Sequence, residues 1–252
     1  MKKAILVAVI GAMTLSVNAG DWGKAPVAKA PIEECYDLGG SISVGYDTDY
    51  VFYGVRLARD SVWGDVNYTF DSLAVPINIG VWYLNGIAPA NYDELDIYAS
   101  ADLGTFAGFD VSIGYVHYFF PESAGVNSYG EIGLDVSRSL GFVDLAAETN
   151  YGIDFGWYHQ VGIEKSFGIT DAISLVVGTG VSYSDNYFGP SDWNHYYVTA
   201  SLPIELNCRT TLTPYITYNG APNGWVANDI GPQIPGGGAD ILYGGISLSV
   251  SF

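Results

Sequence analysis

The sequence predicts an all-β fold, a transmembrane antiparallel up-and-down β-barrel of twelve strands with both termini on the periplasmic side. Three observations lead to it. The last stretch, Ala239 to Phe252, places Leu242, Gly244, Ile246, Leu248, Val250 and Phe252 on one side of an extended chain and Tyr243, Gly245, Ser247, Ser249 and Ser251 on the other. A soluble edge strand this long and apolar would invite aggregation, so its apolar face needs a partner, and lipid is one candidate. Second, charged residues make up only 14% of the chain and aromatics 15%, with 32 Gly and 20 Tyr, a balance suited to strands whose aromatic ends meet a membrane interface. Third, alternating segments separated by turn residues recur from Leu38 to the C-terminus.

The chain opens MKKAILVAVIGAMTLSVNAG, with Lys2 and Lys3, an apolar run from Ala4 to Leu15, and Val17-Asn18-Ala19 ahead of Gly20. This pattern predicts a secretory signal peptide over residues 1–19. A retained anchor is the rival reading, and its apolar run is short for a span. No Cys follows the cleavage site, which argues against a lipoprotein. Residues 20–37, with Pro26 and Pro31 and no periodicity, read as a periplasmic lead-in, and residues 38–252 as the barrel. No later apolar run reaches helical spanning length, which excludes a helical membrane protein. The formal net charge of -18 excludes a nucleic-acid partner.

The strands follow in order. Ser41–Tyr53 sets Ile42, Val44, Tyr46 and Tyr50 against Ser43, Gly45, Asp47 and Asp49, and Gly54–Asp60 reads as the first outer loop, carrying Arg56 and Arg59. Ser61–Phe70, Ala74–Leu84 and Tyr92–Leu103 repeat the alternation, with Asp65, Glu94, Asp96 and Asp102 on the face opposite the apolar set. Ala107–Phe120, Tyr129–Ser139, Phe142–Tyr151 and Gly156–Phe167 continue it, placing Asp110, Glu131, Asp135, Asp144, Glu148 and Glu164 opposite the apolar residues. Asp171–Tyr183, a tenth segment marked by Tyr196 to Ile204, Arg209–Tyr218 and the final strand complete the set, and a long Gly/Pro/Asn loop, Asn219–Gly238, precedes the last.

An even strand count lets a single-chain barrel close antiparallel with both ends on one side. Turns after even-numbered segments are short, and those after odd-numbered segments are usually longer, as expected of periplasmic turns and outer loops. Tyr50, Phe52, Tyr83, Tyr118, Phe119, Tyr151, Trp157, Tyr183, Tyr187, Trp193 and Tyr196 flank the outer loops and predict an upper aromatic girdle, with Phe70, Phe106, Phe109, Phe142, Phe167 and Phe252 in a sparser lower one.

The inward faces therefore collect Asp47, Asp65, Glu94, Asp96, Glu131, Asp135, Asp144, Glu148 and Glu164 as candidate pore-lining residues, with no Lys or Arg in register beside them. Unpaired carboxylates require hydration or protons, so one reading is a narrow cation-favouring pore. The other is a plugged polar interior in which Tyr, Ser, Thr and loop arginines satisfy the acids. His117, His159 and His195 lie towards the outer rim. His159 has no Ser at the spacing used by lipid-hydrolysing barrels, so an interfacial role is expected and no catalytic or metal site is assigned. Cys35 and Cys208 both fall at periplasmic positions, and closure leaves them roughly 10 Å apart, two strand spacings. A disulfide between them and two free thiols are both open.

An alternating last strand that stops on Phe252 resembles the C-terminal insertion signal of bacterial outer-membrane barrels. That resemblance implies outer-membrane lipid and the barrel-insertion machinery as partners. The run SVGYDTDYVFYGVRLARDSVWGDVNYTF, Ser43 to Phe70, resembles the opening hairpin of TorF-like putative porins through Asp49-Tyr50 and Phe52-Tyr53-Gly54. Tyr53 stands where that family often has Arg. The resemblance implies an outer-membrane channel of undefined substrate, with no catalytic residues to carry over. Taken with the acidic inward faces, the first reading is passive diffusion of small polar solutes or cations through a narrow lumen, without a cofactor. A closed structural or surface-binding barrel acting through its outer loops is the alternative.

Overall fold

In the folded chain the period-two pattern is inverted relative to a soluble sheet: Ile42, Val44 and Tyr46 are exposed, while Ser41, Ser43, Gly45 and Asp47 between them are partly covered. The structure, a computed structural model, describes residues 38–88, 92–122, 126–230 and 240–252. The predicted signal peptide and lead-in, with Cys35, lie outside them.

The same alternation builds every strand: β1 (Gly40–Phe52), β2 (Val55–Phe70), β3 (Ile77–Ala88), β4 (Tyr92–Phe106), β5 (Phe109–Phe119), β6 (Ser128–Ser139) and β7 (Asp144–Gly152). The second half comprises β8 (Gly156–Gly168), β9 (Ser174–Asp185), β10 (Asp192–Ser201), β11 (Ile204–Asn207), β12 (Thr210–Gly220), a short helix α1 (Val226–Ile230) and β13 (Ile241–Ser251). Each strand pairs antiparallel with its neighbour, and β13 returns to β1 from Ser41↔Ser251 to Asp47↔Gly245, which closes the sheet. Closure removes the free edges that would otherwise template aggregation.

The sheet has thirteen strands but closes as a barrel of twelve. The extra one arises at Leu202-Pro203. Proline has no N–H to give to a ladder, so the tenth stave breaks there and resumes as β11, which continues along β12 from Ile204↔Leu212. The predicted count of twelve holds for the staves.

Chain turns divide the barrel into two ends. Tight connections such as Ala107–Gly108 share one end with Gly40 and Phe252, whose backbones bond each other at 2.9 and 3.1 Å. We call this the terminal end. The other, the loop end, carries residues 120–122, 126–127, 186–191 and 221–230 among those described.

The sequence expectation fails at the first loop. Gly54–Asp60 is not a loop: β1 and β2 run on and meet in a turn made by Tyr53 and Gly54, both at positive φ (47° and 81°). Two such residues form the reversed turn that matches strand twist. At the last loop, β12 extends through Gly220 and α1 follows, so only part of Asn219–Gly238 is irregular among the described residues.

Inside, large and small side chains alternate between neighbouring strands. Gly80 faces Tyr98 in register, and a Cβ on Gly80 would collide with the Tyr98 ring. Outside, Val66 is 53% exposed at mid-strand on the apolar face. In acyl chains a guanidinium at that position costs about 2–4 kcal/mol. Val66→Arg is therefore expected to lower the urea midpoint for folding into phospholipid vesicles by a corresponding amount.

Candidate functional site

The site begins where β1 leaves the wall. Its pairing with β13 ends at Asp47↔Gly245, and beyond it only the Thr48 hydroxyl holds Gly244 N, at 3.1 Å. Register shifts to Tyr50↔Ala58 and Val51↔Arg56, so Leu57 is an extra residue that bends the ribbon. Asp60 adds a second irregularity at φ 50°. From Asp49 to Ala58 the hairpin alternation disappears, and nearly every residue is buried. Burial on both faces means that the ribbon lies inside the barrel.

Its contacts show how far it reaches. The Tyr50 hydroxyl donates to Glu94 of β4 at 3.0 Å. The Tyr53 hydroxyl donates to Glu131 of β6 at 2.7 Å and accepts from Asn150 of β7 at 2.9 Å. Tyr53 also stacks on Tyr158 of β8 with ring centroids 3.7 Å apart. The turn carbonyls are held from the remaining side: Asn194 of β10 donates to Tyr53 O at 2.8 Å and Asn219 of β12 to Gly54 O at 3.2 Å. In a ring of twelve staves β7 stands opposite β1. The hairpin therefore crosses the full bore at the loop end.

Positive φ at a bulky residue is uncommon and costs on the order of 1–3 kcal/mol. At Tyr53 it directs the phenol at Glu131 and Asn150, which gives the unusual backbone a structural consequence. Val55 at the tip packs with Ala221 and Ala227, so α1 and the end of β12 cover the ribbon from outside. Residues 186–191 also fold inward: Tyr187 donates to Glu131 at 2.6 Å, and burial pushes its phenol pKa up so that it remains the donor.

The nine predicted inward carboxylates separate into two groups. Under the hairpin, Glu94 and Glu131 are at most 1% exposed and Asp96 is 4% exposed, as is Asp65 further along β2 towards the terminal end. Glu131 accepts from Tyr53, Tyr187 and, at 3.3 Å, Tyr118; Glu94 accepts from Tyr50 and, at 2.6 Å, Tyr92. Asp65 accepts from Tyr98 at 2.7 Å and Asn67 at 2.8 Å. Asp96 keeps one oxygen without a partner.

Towards the terminal end the setting changes. Asp135, Asp144 and Glu148 are half-buried there, while Glu164 is 7% exposed; Asp47, at the base of the hairpin, is half-buried as well. Tyr215 donates to Asp47 at 2.6 Å, and Ser112 reaches Asp135 at 3.5 Å. Asp135 faces Glu148 in register and Asp144 faces Glu164. Like charges in direct opposition repel, so this strip on β6, β7 and β8 favours a cation or water between its members.

The two loop arginines are also placed differently from expectation. Both lie on β2, inside the ribbon: Arg56 Nε is 2.7 Å from Asp49 Oδ1, off the hydrogen-bonding line, and Arg59 Nε is 3.7 Å from the same oxygen. Asp49 thus has basic partners on its own hairpin.

The predicted upper girdle divides. Tyr83, Tyr151, Trp157 and Trp193 are exposed, but Tyr50, Phe52, Tyr118 and Tyr187 belong to the buried aromatic layer around the hairpin. His195 is likewise interior, with Nδ1 2.7 Å from the Ser182 hydroxyl. His159 pairs with Thr149 at 2.7 Å and His117 with Tyr115 at 2.9 Å on the outward face. Asn150, Asn194, Asn219 and the interior tyrosines went unread as site residues, because nothing local in the sequence indicates which distant strand they face. Cys208, in the turn between β11 and β12, is disulfide-bonded, and Cys35 lies outside the described residues.

No protein-family model matches the chain, and no curated protein does. Solved structures do. The chain is similar to the COG4313 outer membrane channel from Pseudomonas putida F1, with a TM-score of 0.55 at 11% identity over 90% of this chain and 100% of that one. It is similar to the KdgM porin (TM-score 0.53, 9% identity, 84% of this chain and 99% of that one) and the NanC porin (TM-score 0.51, 10% identity, 84% and 98%). At these identities the likeness is one of fold: the chain has the barrel architecture of outer-membrane channels.

Removing one donor from a buried carboxylate costs about 1–3 kcal/mol. Tyr53→Phe and Tyr187→Phe are each expected to lower stability by that amount in urea unfolding from micelles. Tyr68→Phe, altering a phenol 41% exposed on the outer face, should remain within about 0.5 kcal/mol of the parent.

Proposed function

We propose that the chain is a channel of the bacterial outer membrane, passing small polar solutes or cations by diffusion without a cofactor or catalytic step. The observation that carries this reading is the half-buried strip Asp135, Glu148 and Asp144, with Glu164 beside it, facing the interior from consecutive strands. Among the described residues no Lys or Arg salt bridge reaches these acids. Carboxylates in that position attract cations and repel anions. The fold likeness to porins supports the outer-membrane location.

In this reading residues 1–19 export the chain to the periplasm, both termini remain on that side, and the last strand ending at Phe252 engages the insertion machinery. A closed barrel acting through its outer surface is the second reading. The observation favouring it is the hairpin, which fills the bore with Tyr50, Phe52 and Tyr53.

Planar-bilayer recording separates the two. Purified protein is expected to give discrete conductance steps with a reversal potential favouring K+ over Cl-, and Asp135→Asn/Glu148→Gln should move that potential towards zero. Silence under conditions that refold the barrel overturns the channel reading. We further propose that Cys35 is the partner of Cys208 and ties the lead-in to the barrel seam. Mobility should then differ between non-reducing and reducing gels, with neither thiol alkylated before reduction. Equal mobility with both thiols alkylatable overturns the pairing.

A further inference from the structure

We infer that the β1–β2 hairpin, Thr48 to Asp60, is a hinged stopper that moves as one body and opens the loop end of the bore. This rests on the channel reading, because a ribbon crossing the whole bore must move if solute is to pass there.

The ribbon is a unit in its own right. Its internal ladder, Tyr50↔Ala58, Val51↔Arg56 and Phe52↔Val55, and the Asp49–Arg56 ion pair stay within the moving piece. The barrel ladder does not depend on it. Pairing of β1 with β13 has already ended at Asp47↔Gly245, and on the other side only Arg59↔Ala88 of β3 lies beyond Ser61↔Gly86. Both margins carry a hinge feature: β1 leaves β13 after Asp47, and β2 has Asp60 at positive φ. The Tyr46 hydroxyl, 2.6 Å from Asp60, sits across that margin.

Apart from that margin and the Arg59↔Ala88 pair with β3, the polar links between ribbon and wall run through side chains. They include Thr48 to Gly244 N, Tyr50 to Glu94, Tyr53 to Glu131 and Asn150, and Asn194 and Asn219 to the two turn carbonyls. Such links exchange for water without breaking a strand. The wall is also prepared for departure of the ribbon. Glu131 retains Tyr118 and Tyr187, and Glu94 retains Tyr92, so neither latch carboxylate loses all its donors when Tyr53 and Tyr50 withdraw. Two discrete arrangements with partners in both are what a switching element needs.

Two variants of the full-length protein test this in planar bilayers. Val55→Cys/Ala221→Cys joins the ribbon tip to the end of β12, its neighbour in the tip cluster. Oxidised, it should reduce the open fraction at least tenfold relative to the parent, and reductant should restore it; the parent with reductant controls for the native disulfide. Tyr53→Ala removes the stacking on Tyr158 and the Glu131 latch and should raise the open fraction at least tenfold. Unchanged conductance in the oxidised pair, or an unchanged open fraction in Tyr53→Ala, overturns the stopper while leaving the channel reading in place. Silence of the parent, of Tyr53→Ala and of a variant lacking residues 50–58 overturns both.

Discussion

Glu131 is the point on which the loop end depends. Fully buried, it accepts from phenols carried by three separate parts of the chain: Tyr53 on the inward hairpin, Tyr118 on β5 and Tyr187 in residues 186–191. A carboxylate out of water needs donors, and among the described residues no base approaches it in a salt bridge. Phenols supply those donors together with apolar surface, so the same three residues satisfy the acid and pack the aromatic layer. Glu94 repeats the arrangement with Tyr50 and Tyr92, and Asp65 with Tyr98. The 20 tyrosines of the chain thus serve two environments, the outer interface and the interior acids.

Closure of the sheet makes this interior possible. Backbone groups are paired around the ring, so the wall contributes only side chains to the bore, which the hairpin then crosses. Glycines facing inward leave room for the large rings of neighbouring strands, as Gly80 does for Tyr98 and Gly45 for Trp63. The wall also tolerates local breaks. Pro203 interrupts the tenth stave without opening the barrel, because β9 and β12 bridge the gap through Ser174 N to Pro203 O and Leu202 N to Pro214 O.

The outward half of the fold was legible in the sequence. Val44, Val66, Val81, Val161 and Val198 fall on the apolar side of their alternating segments and all are exposed, because period-two alternation needs no knowledge of distant strands. The acids were legible as inward for the same reason. Their partners were not, since Tyr53 and Glu131, or Asn194 and the Tyr53 carbonyl, are brought together only by folding the hairpin across the bore. Val55 to Asp60 read as a loop because Gly54 and two arginines resemble turn chemistry, and a bulged strand buried on both faces does not alternate. Tyr50 and Phe52 read as girdle residues because an amphipathic ring near a loop suits a membrane interface and a plug equally well.

The two groups of carboxylates give the bore a chemical gradient along its axis. At the loop end Glu94 and Glu131 are solvated by phenols, so each of their oxygens has a donor, within a layer of packed aromatic rings. At the terminal end Asp135, Asp144 and Glu148 are half-buried, and the in-register oppositions Asp135 to Glu148 and Asp144 to Glu164 leave repulsion for water or a cation to relieve. On the channel reading, the two tasks of a pore are therefore separated in space: charge discrimination belongs to the strip on β6 to β8, and passage belongs to the hairpin contributed by β1 and β2. A substitution at Asp144 or Glu164 should change ion preference with little effect on opening, and a substitution at Tyr53 the reverse, because among the described residues no hydrogen bond joins Tyr53 to either acid, whereas Glu148 shares Asn150 with Tyr53.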